Sequence, residues 1–226
     1  MPSMTAPVRA RLSSERPTTA SRRPTETMSV QAILRILALL AVVAEAGVVT
    51  IAAAWVFRAA GWSRRLRRDL APWALWAATA VAAVSMAGSL WFSEYVGFVP
   101  CTLCWYQRIA MYPLVIVLGV AAIRRDVSVW LPATIIAGIG GSISILHLFE
   151  QWGPHLDLGV CETAVPCSAR WVTEFGYLTI PGMALSGFAL IIALLSLTTA
   201  RSASRPLLDT TARSASRPLL DSKERA

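Results

Sequence analysis

Five stretches of this chain are almost wholly apolar, and short polar connections separate them. They cover 36–57, 73–92, 105–123, 129–149 and 177–199. A helix crosses the hydrocarbon of a bilayer in about 20 such residues. Backbone groups in lipid must find partners within their own segment, so each stretch predicts a helix. The period-2 alternation of a membrane barrel is absent. The expected fold is an all-α integral membrane protein. Its body is a four-helix transmembrane bundle at 73–199, with an additional N-terminal hydrophobic helix and a basic linker at 30–72. Residues 1–29 and 200–226 read as disordered tails, the first rich in Pro, Ser, Thr and Arg. The second holds a duplication: the ten residues from Ala200 to Asp209 recur from Ala212 to Asp221.

Composition agrees. Of the 226 residues, 55% are hydrophobic and 15% charged, and the mean hydropathy is +0.56. The net charge of +8 raises the question of nucleic acid, but the arginines lie in tails and linkers, as topology signals do. No nucleic-acid partner is expected. Arg58, Arg64, Arg65, Arg67 and Arg68 follow the first segment, Arg124 and Arg125 the third, and Arg201 and Arg205 the fifth. If all five segments span, these positions share one side, which the positive-inside rule makes cytoplasmic. The opposite connections hold Glu94, Glu150, Asp157, Glu162 and Glu174 against Arg170 alone. The basic tail before residue 28 conflicts with this arrangement. A later start at Met28, an interfacial first segment, or the linker arginines outvoting the tail would each resolve the conflict. Ala44-Glu45-Ala46 has the form of a signal-peptidase site, and cleavage there would invert the bundle. Glu45 reads as a packing or snorkelling carboxylate in preference to an ion-carrying group.

The four cysteines fall in the two acidic connections. Cys101 and Cys104 form a CxxC at the mouth of the third segment, and Arg108 follows one turn later on the face of Cys104. Cysteine reacts as thiolate, which helix N-termini and nearby cations stabilise. A helix starting near Cys104 would aim its free N–H groups at that sulfur. Arg108 would then stabilise the thiolate or polarise an acceptor oxygen, or else snorkel to headgroups. Cys161 and Cys167 are near enough for a local disulfide, which fits a structural staple and an exchange-active bond equally. Trp152, Trp171 and Phe175 flank that pair. Together the pairs predict a relay from a soluble dithiol through the loop disulfide to the CxxC, and on to a lipid-soluble two-electron acceptor such as a quinone. There is no CxxCH haem site and no GxGxxG dinucleotide site.

The run Pro100-Cys101-Thr102-Leu103-Cys104-Trp105-Tyr106-Gln107-Arg108, continuing to Leu114, resembles the signature of the disulfide bond formation protein B family, especially its short-loop BdbC branch. Val165-Pro166-Cys167-Ser168 and 175–181 resemble its second cysteine loop and last-helix entry. The resemblance covers roughly 73–199. It implies a thiol oxidase of the cytoplasmic (inner) membrane, multi-pass, with both cysteine pairs extracytoplasmic. The implied partner is a thioredoxin-fold dithiol oxidase of the DsbA/BdbD kind. The implied cofactor is ubiquinone or menaquinone. Carried over by residue, Cys161 is attacked by the partner, Cys167 resolves toward Cys101, and Cys104 passes electrons to a quinone that Arg108 contacts. His147 resembles a position lining the quinone site, and an interfacial polar tip fits it as well. Gln107 receives no role. The second loop is shorter than in proteobacterial members, and the segment 36–57 lies outside the four-helix pattern.

Rival readings are weaker. A Cys₄ zinc site wants x₂₋₄ spacing in both pairs, and the second has five intervening residues; no metal is expected. Vitamin K epoxide reductase-like enzymes place the CxxC after the loop cysteines, the reverse of the order here. A scaffold would use both disulfides as staples. A transporter would show polar groups at mid-membrane or repeated halves. Gly138, Gly141 and Ser142 are expected to allow close helix packing. Pro113, Pro132 and Pro181 are expected near helix starts.

Overall fold

The computed structural model describes residues 24–153, 161 and 165–202. Residues 1–23, 154–160, 162–164 and 203–226, on which some of the expectations above fall, lie outside the described residues. Two compact units divide the chain, Met1–Leu34 and Arg35–Ala226, and everything of functional interest below belongs to the second.

Six α-helices follow in order: α1 (Pro24–Val56), α2 (Gly61–Leu70), α3 (Ala74–Leu90), α4 (Thr102–Arg124), α5 (Trp130–Trp152) and α6 (Ile180–Ser202). All but α2 are long and apolar enough to cross a membrane. Their outward faces confirm the setting. Ile109, Ile116 and Ile123 recur at seven-residue spacing on one face of α4 and are 65%, 71% and 72% exposed, where a water-soluble helix would carry charge. The tryptophans Trp62, Trp73, Trp105, Trp130 and Trp152 are exposed near helix ends, at the level an aromatic belt occupies.

The core lies among α3, α4, α5 and α6. Leu114 and Leu118 of α4 meet Phe188, Ile191 and Leu195 of α6, while Ala78, Ala82, Ala133 and Ala137 supply small surfaces from α3 and α5. Small residues let helices approach closely where lipid supplies no hydrophobic driving force. The tightest approach is at Gly140, where a Cβ would run into the Phe188 ring. Gly138, expected to serve this role, has open space beside it, and only Gly141 of the expected set also faces Phe188. About half a helical turn separates Gly140 from Gly138, and only the rotation of α5 decides between them. Pro113 likewise differs from expectation. It sits inside α4, because that helix begins before Cys104 and runs on to Arg124; spanning helices tolerate such prolines.

α3 ends in a π-helical turn, Trp91–Tyr95, and its Phe92 stacks on Phe98, which stacks in turn on Trp171 at 5.3 Å. Before α6 the chain makes a small antiparallel hairpin, β1 (Thr173–Glu174) with β2 (Leu178–Thr179). Phe175 and Gly176 take positive φ in its turn, a conformation that glycine adopts without strain. This hairpin is absent from the all-helical expectation, since two-residue strands leave no periodic signal.

α1 joins the bundle through polar side chains. Glu45 accepts hydrogen bonds from the Tyr177 hydroxyl and from Ser186 Oγ of α6, each 3.0 Å. Near the other end Trp55 donates to Ser196 Oγ at 2.9 Å. A carboxylate in an apolar segment costs about 2.5–3.5 kcal/mol to insert, and two hydroxyl donors offset part of that cost. Glu45 is therefore a packing group, as expected. The basic helix α2 folds back, its Arg67 lying over the Trp55 ring at 5.1 Å.

Candidate functional site

Cys101 is the N-cap of α4, in extended conformation, with its carbonyl accepting the first helical bond from Trp105 N–H. The helix begins at Thr102, ahead of the start near Cys104 that the sequence suggests. The free N–H groups of the first turn consequently serve the other sulfur: Cys104 N–H donates to Cys101 Sγ at 3.4 Å. The expectation that the helix terminus favours the Cys104 thiolate is corrected to Cys101. The two sulfurs are 2.9 Å apart, unbonded and within hydrogen-bonding reach.

His147 of α5 converges on the same sulfur. Its Nε2 is 3.7 Å from Cys101 Sγ and 3.1 Å from the Cys167 carbonyl oxygen, and its Nδ1 is 3.5 Å from the Gln107 amide nitrogen. One tautomer satisfies all three: Nε2–H donates to the carbonyl and toward the sulfur, and Nδ1 accepts from Gln107. The Cys104 thiol, donating to Cys101, lowers the Cys101 pKa the most. Together with His147 and the Cys104 N–H it holds that pKa down to about 4, against burial, which raises it.

Cys161 and Cys167 form a disulfide with Cα atoms 5.8 Å apart. It packs directly on the CxxC, in one cluster with Leu103, Ile143, Leu146 and Val165. Cys167 is buried at 2% exposure, whereas Cys161 is only half-buried. Gln151, one turn beyond His147, donates to the Ala169 carbonyl and ties this loop to α5. A cavity of about 20 Å³, bordered by Cys101, Cys104, His147, Gln151 and Pro166, lies beside the CxxC, large enough for one water.

On its other side Cys104 borders a cavity of about 350 Å³ that also meets Gln107, Arg108, Ser89 and Tyr112. Arg108 is held rigidly. Its Nε donates to Ser89 Oγ at 2.9 Å, a terminal nitrogen donates to the Ser89 carbonyl at 2.8 Å, and the guanidinium lies over the Trp105 ring at 5.2 Å. These contacts hold the side chain at the edge of the cavity that Arg108 borders. An apolar slot with a cation and a thiol at one end fits the ring of a lipid-soluble quinone, whose oxygens accept hydrogen bonds.

The structure thus brings Cys101, Cys104, Cys167 and His147 together, with Cys161 beside them and Arg108 across Cys104. It separates His147 from Arg108: the histidine is 2% exposed and does not border the larger cavity. An interfacial polar tip does not match this buried position, because the rotation of α5 turns His147 toward the α4 N-terminus. Gln107, Ser89 and Gln151 were missed. A glutamine in an apolar segment was a legible signal for Gln107, and the i+4 step from His147 for Gln151. Nothing in sequence marked Ser89. A metal could find three ligand atoms at Cys101, Cys104 and His147, all within 4.8 Å. The loop disulfide removes the other two thiolates that a Cys₄ site requires.

Comparison with known proteins joins this geometry to a family. The family described as disulfide bond formation protein DsbB matches residues 71–200. Disulfide bond formation protein C of Bacillus subtilis (strain 168) is 47% identical over 124 residues, which is 54% of this chain and 90% of that protein. A probable disulfide formation protein of Oceanobacillus iheyensis is 45% identical over 127 residues, 54% of this chain and 85% of the relative. Probable disulfide formation protein C 1 of Bacillus anthracis is 39% identical over 129 residues, 57% and 91% respectively. No solved structure matches. With the profile match covering more than half the chain and both cysteine pairs inside it, this multi-pass membrane protein belongs to the DsbB family of disulfide bond formation proteins.

Proposed function

We propose that the protein is a protein-disulfide:quinone oxidoreductase of the cytoplasmic (inner) membrane, reoxidising an extracytoplasmic thioredoxin-fold dithiol oxidase. The observation that carries this reading is the stacking of the Cys161–Cys167 disulfide on a CxxC whose second sulfur borders a lipid-scale cavity. The cysteines lie at the end of the bundle opposite Arg124 and the α2 arginines, and the positive-inside rule then puts them outside.

The cycle starts with both pairs oxidised. A partner thiolate attacks Cys161, the more exposed sulfur, and releases Cys167 as thiolate. Cys167 attacks Cys101, which frees Cys104 as thiolate beside the cavity. The partner's second thiol displaces Cys161 and leaves as a disulfide. Cys161 then recovers Cys167, leaving a Cys101–Cys104 dithiol, the state of the cysteines described here. Formation of the Cys101–Cys104 bond releases two electrons and the proton of the Cys104 thiol, and a quinone that takes these up with one further proton from water becomes quinol. Gln107 orients His147, whose Nε2–H faces the Cys101 sulfur and favours its thiolate, and Arg108 supplies the cation facing the acceptor's oxygen.

The direct test is the redox state of all four cysteines in native membranes, by acid quench and differential alkylation, with the quinone pool oxidised or depleted. Reduction of the pairs on depletion is expected. Pairs oxidised in both states would mean structural staples, and thiols released only by a chelator would mean zinc.

A further inference from the structure

The cavity ending on Cys104 and Arg108 has one wall that the family-matched region does not provide. Leu37, Leu40, Ala41, Val43 and Ala44 of α1 line it, and the family match begins only at residue 71. The remaining walls come chiefly from α3, α4 and α6. Two polar contacts hold α1 in this position. Glu45 meets Ser186, and Trp55 meets Ser196, so the contacts are ten residues apart on each helix. Equal spacing means that α1 and α6 run side by side in the same direction, about 15 Å between contacts at 1.5 Å per residue. α1 therefore packs alongside α6, which is also long and apolar enough to cross a membrane. On its other flank Leu37 meets α3 at Gly88, where an added Cβ would come within 3.3 Å of it. α1 thus bridges α6 and α3 over the slot that leads to the dithiol.

The rim of the slot indicates what enters it. Leu40, Val43 and Val84 border the cavity and are 47%, 66% and 46% exposed. The slot opens between α1 and α3 onto the lipid-facing surface. Its walls are apolar, and its polar groups gather at the Cys104 end. A phospholipid acyl chain would use the apolar part and leave Arg108 unused. A quinone with an isoprenoid tail uses both.

We propose that α1 is the lateral wall of the quinone site, packing against the ring-proximal part of the tail and setting the affinity for the acceptor. This rests on the quinone reading above, in which closure of the Cys101–Cys104 pair to a disulfide delivers two electrons and the Cys104 proton, and one further proton from water completes the quinol. α1 takes no part in that step.

The test uses the full chain in lipid nanodiscs and a photoreactive benzoquinone bearing a short isoprenyl tail, with labelled peptides mapped by mass spectrometry. Label is expected on α1 between residues 37 and 44 as well as on α3, and excess unlabelled quinone should remove it. Label on α3 and α4 with none on α1 overturns the inference. Label displaced equally well by added phospholipid also overturns it, because the slot would then be a lipid site. In steady-state quinone reduction, Leu40→Trp and Val43→Trp should each raise KM about tenfold with kcat unchanged, the scale of one lost apolar contact region. Val49→Trp, on an exposed face of the same helix outside the cavity, should leave both constants alone. Unchanged KM in the two rim variants sinks the wall but leaves the quinone reading intact. A wild-type chain that neither labels nor reduces quinone sinks the quinone reading itself.

Discussion

The two cysteine pairs lie in one cluster and stand in opposite states. Cys161 and Cys167 are bonded in a loop, six residues apart. Cys101 and Cys104 are free thiols three residues apart at a helix start. Their surroundings account for the division of labour. Cys101 receives hydrogen bonds from the Cys104 thiol, the Cys104 N–H and His147, all of which favour its thiolate and so the reduced form of that pair. Reduction is thereby drawn inward, from the loop to the helix. The loop pair in turn has one half-buried and one buried sulfur, so an incoming thiolate meets Cys161 first. In the proposed relay, access would decide where electrons enter, and thiolate stabilisation would favour their passage to the helix pair.

Removing the last sulfur separates the pairs most sharply. Cys104→Ser should abolish quinone reduction, and after a single exchange with the partner Cys161 and Cys167 should accumulate as thiols, read by differential alkylation. Continued partner-driven quinone reduction in that variant would end the role given to Cys104. The double change Cys161→Ala with Cys167→Ala should eliminate turnover with a thioredoxin-fold donor yet retain it with a small dithiol that can reach the CxxC directly. Loss with both donors would make the loop disulfide a staple holding the inner site together.

Arg108→Ala probes the acceptor end alone. Loss of a charge-assisted hydrogen bond predicts a rise of about tenfold or more in the quinone KM, with both disulfides still forming. Unchanged dependence of rate on quinone concentration would remove Arg108 from the site. The subtlest test concerns Cys101. In the reduced protein its thiolate absorbance should titrate with a midpoint near 4, and His147→Ala should move that midpoint upward. The lowered value also ties stability to pH. The folded pKa lies below that of an unfolded thiol, about 8.5. The reduced fold therefore gains stability that is complete above that pH and is lost as pH falls through about 4. A denaturation midpoint of the reduced protein that is flat across this window would contradict the hydrogen bonding drawn here.

Much of this was readable from the chain because membranes make composition decisive. Runs of about 20 apolar residues have few alternatives to spanning helices, and the cysteines, with Arg108 one turn beyond Cys104, stand out against such a background. Local chemistry of that kind survives without knowledge of how helices are turned. Rotation and helix starts did not survive. A start at Thr102 moved the helix-terminal N–H groups from Cys104 to Cys101. The rotation of α5 made Gly140, not Gly138, the contact for Phe188 and turned His147 toward Cys101.

The sequence by itself determined the five apolar segments, the two dithiol positions and the polarity of charge across the bundle, since each follows from residue type and order. Only the tertiary structure decided which faces meet. It brought Ser89 of α3 under Arg108, and it carried α1, far away in sequence, to the wall of a cavity ending at Cys104. Those placements depend on packing an apolar helix among others like it. When nearly every face is apolar, hydrophobic pattern cannot choose between rotations, and the few polar contacts, such as Glu45 on Ser186 and Tyr177, make the choice.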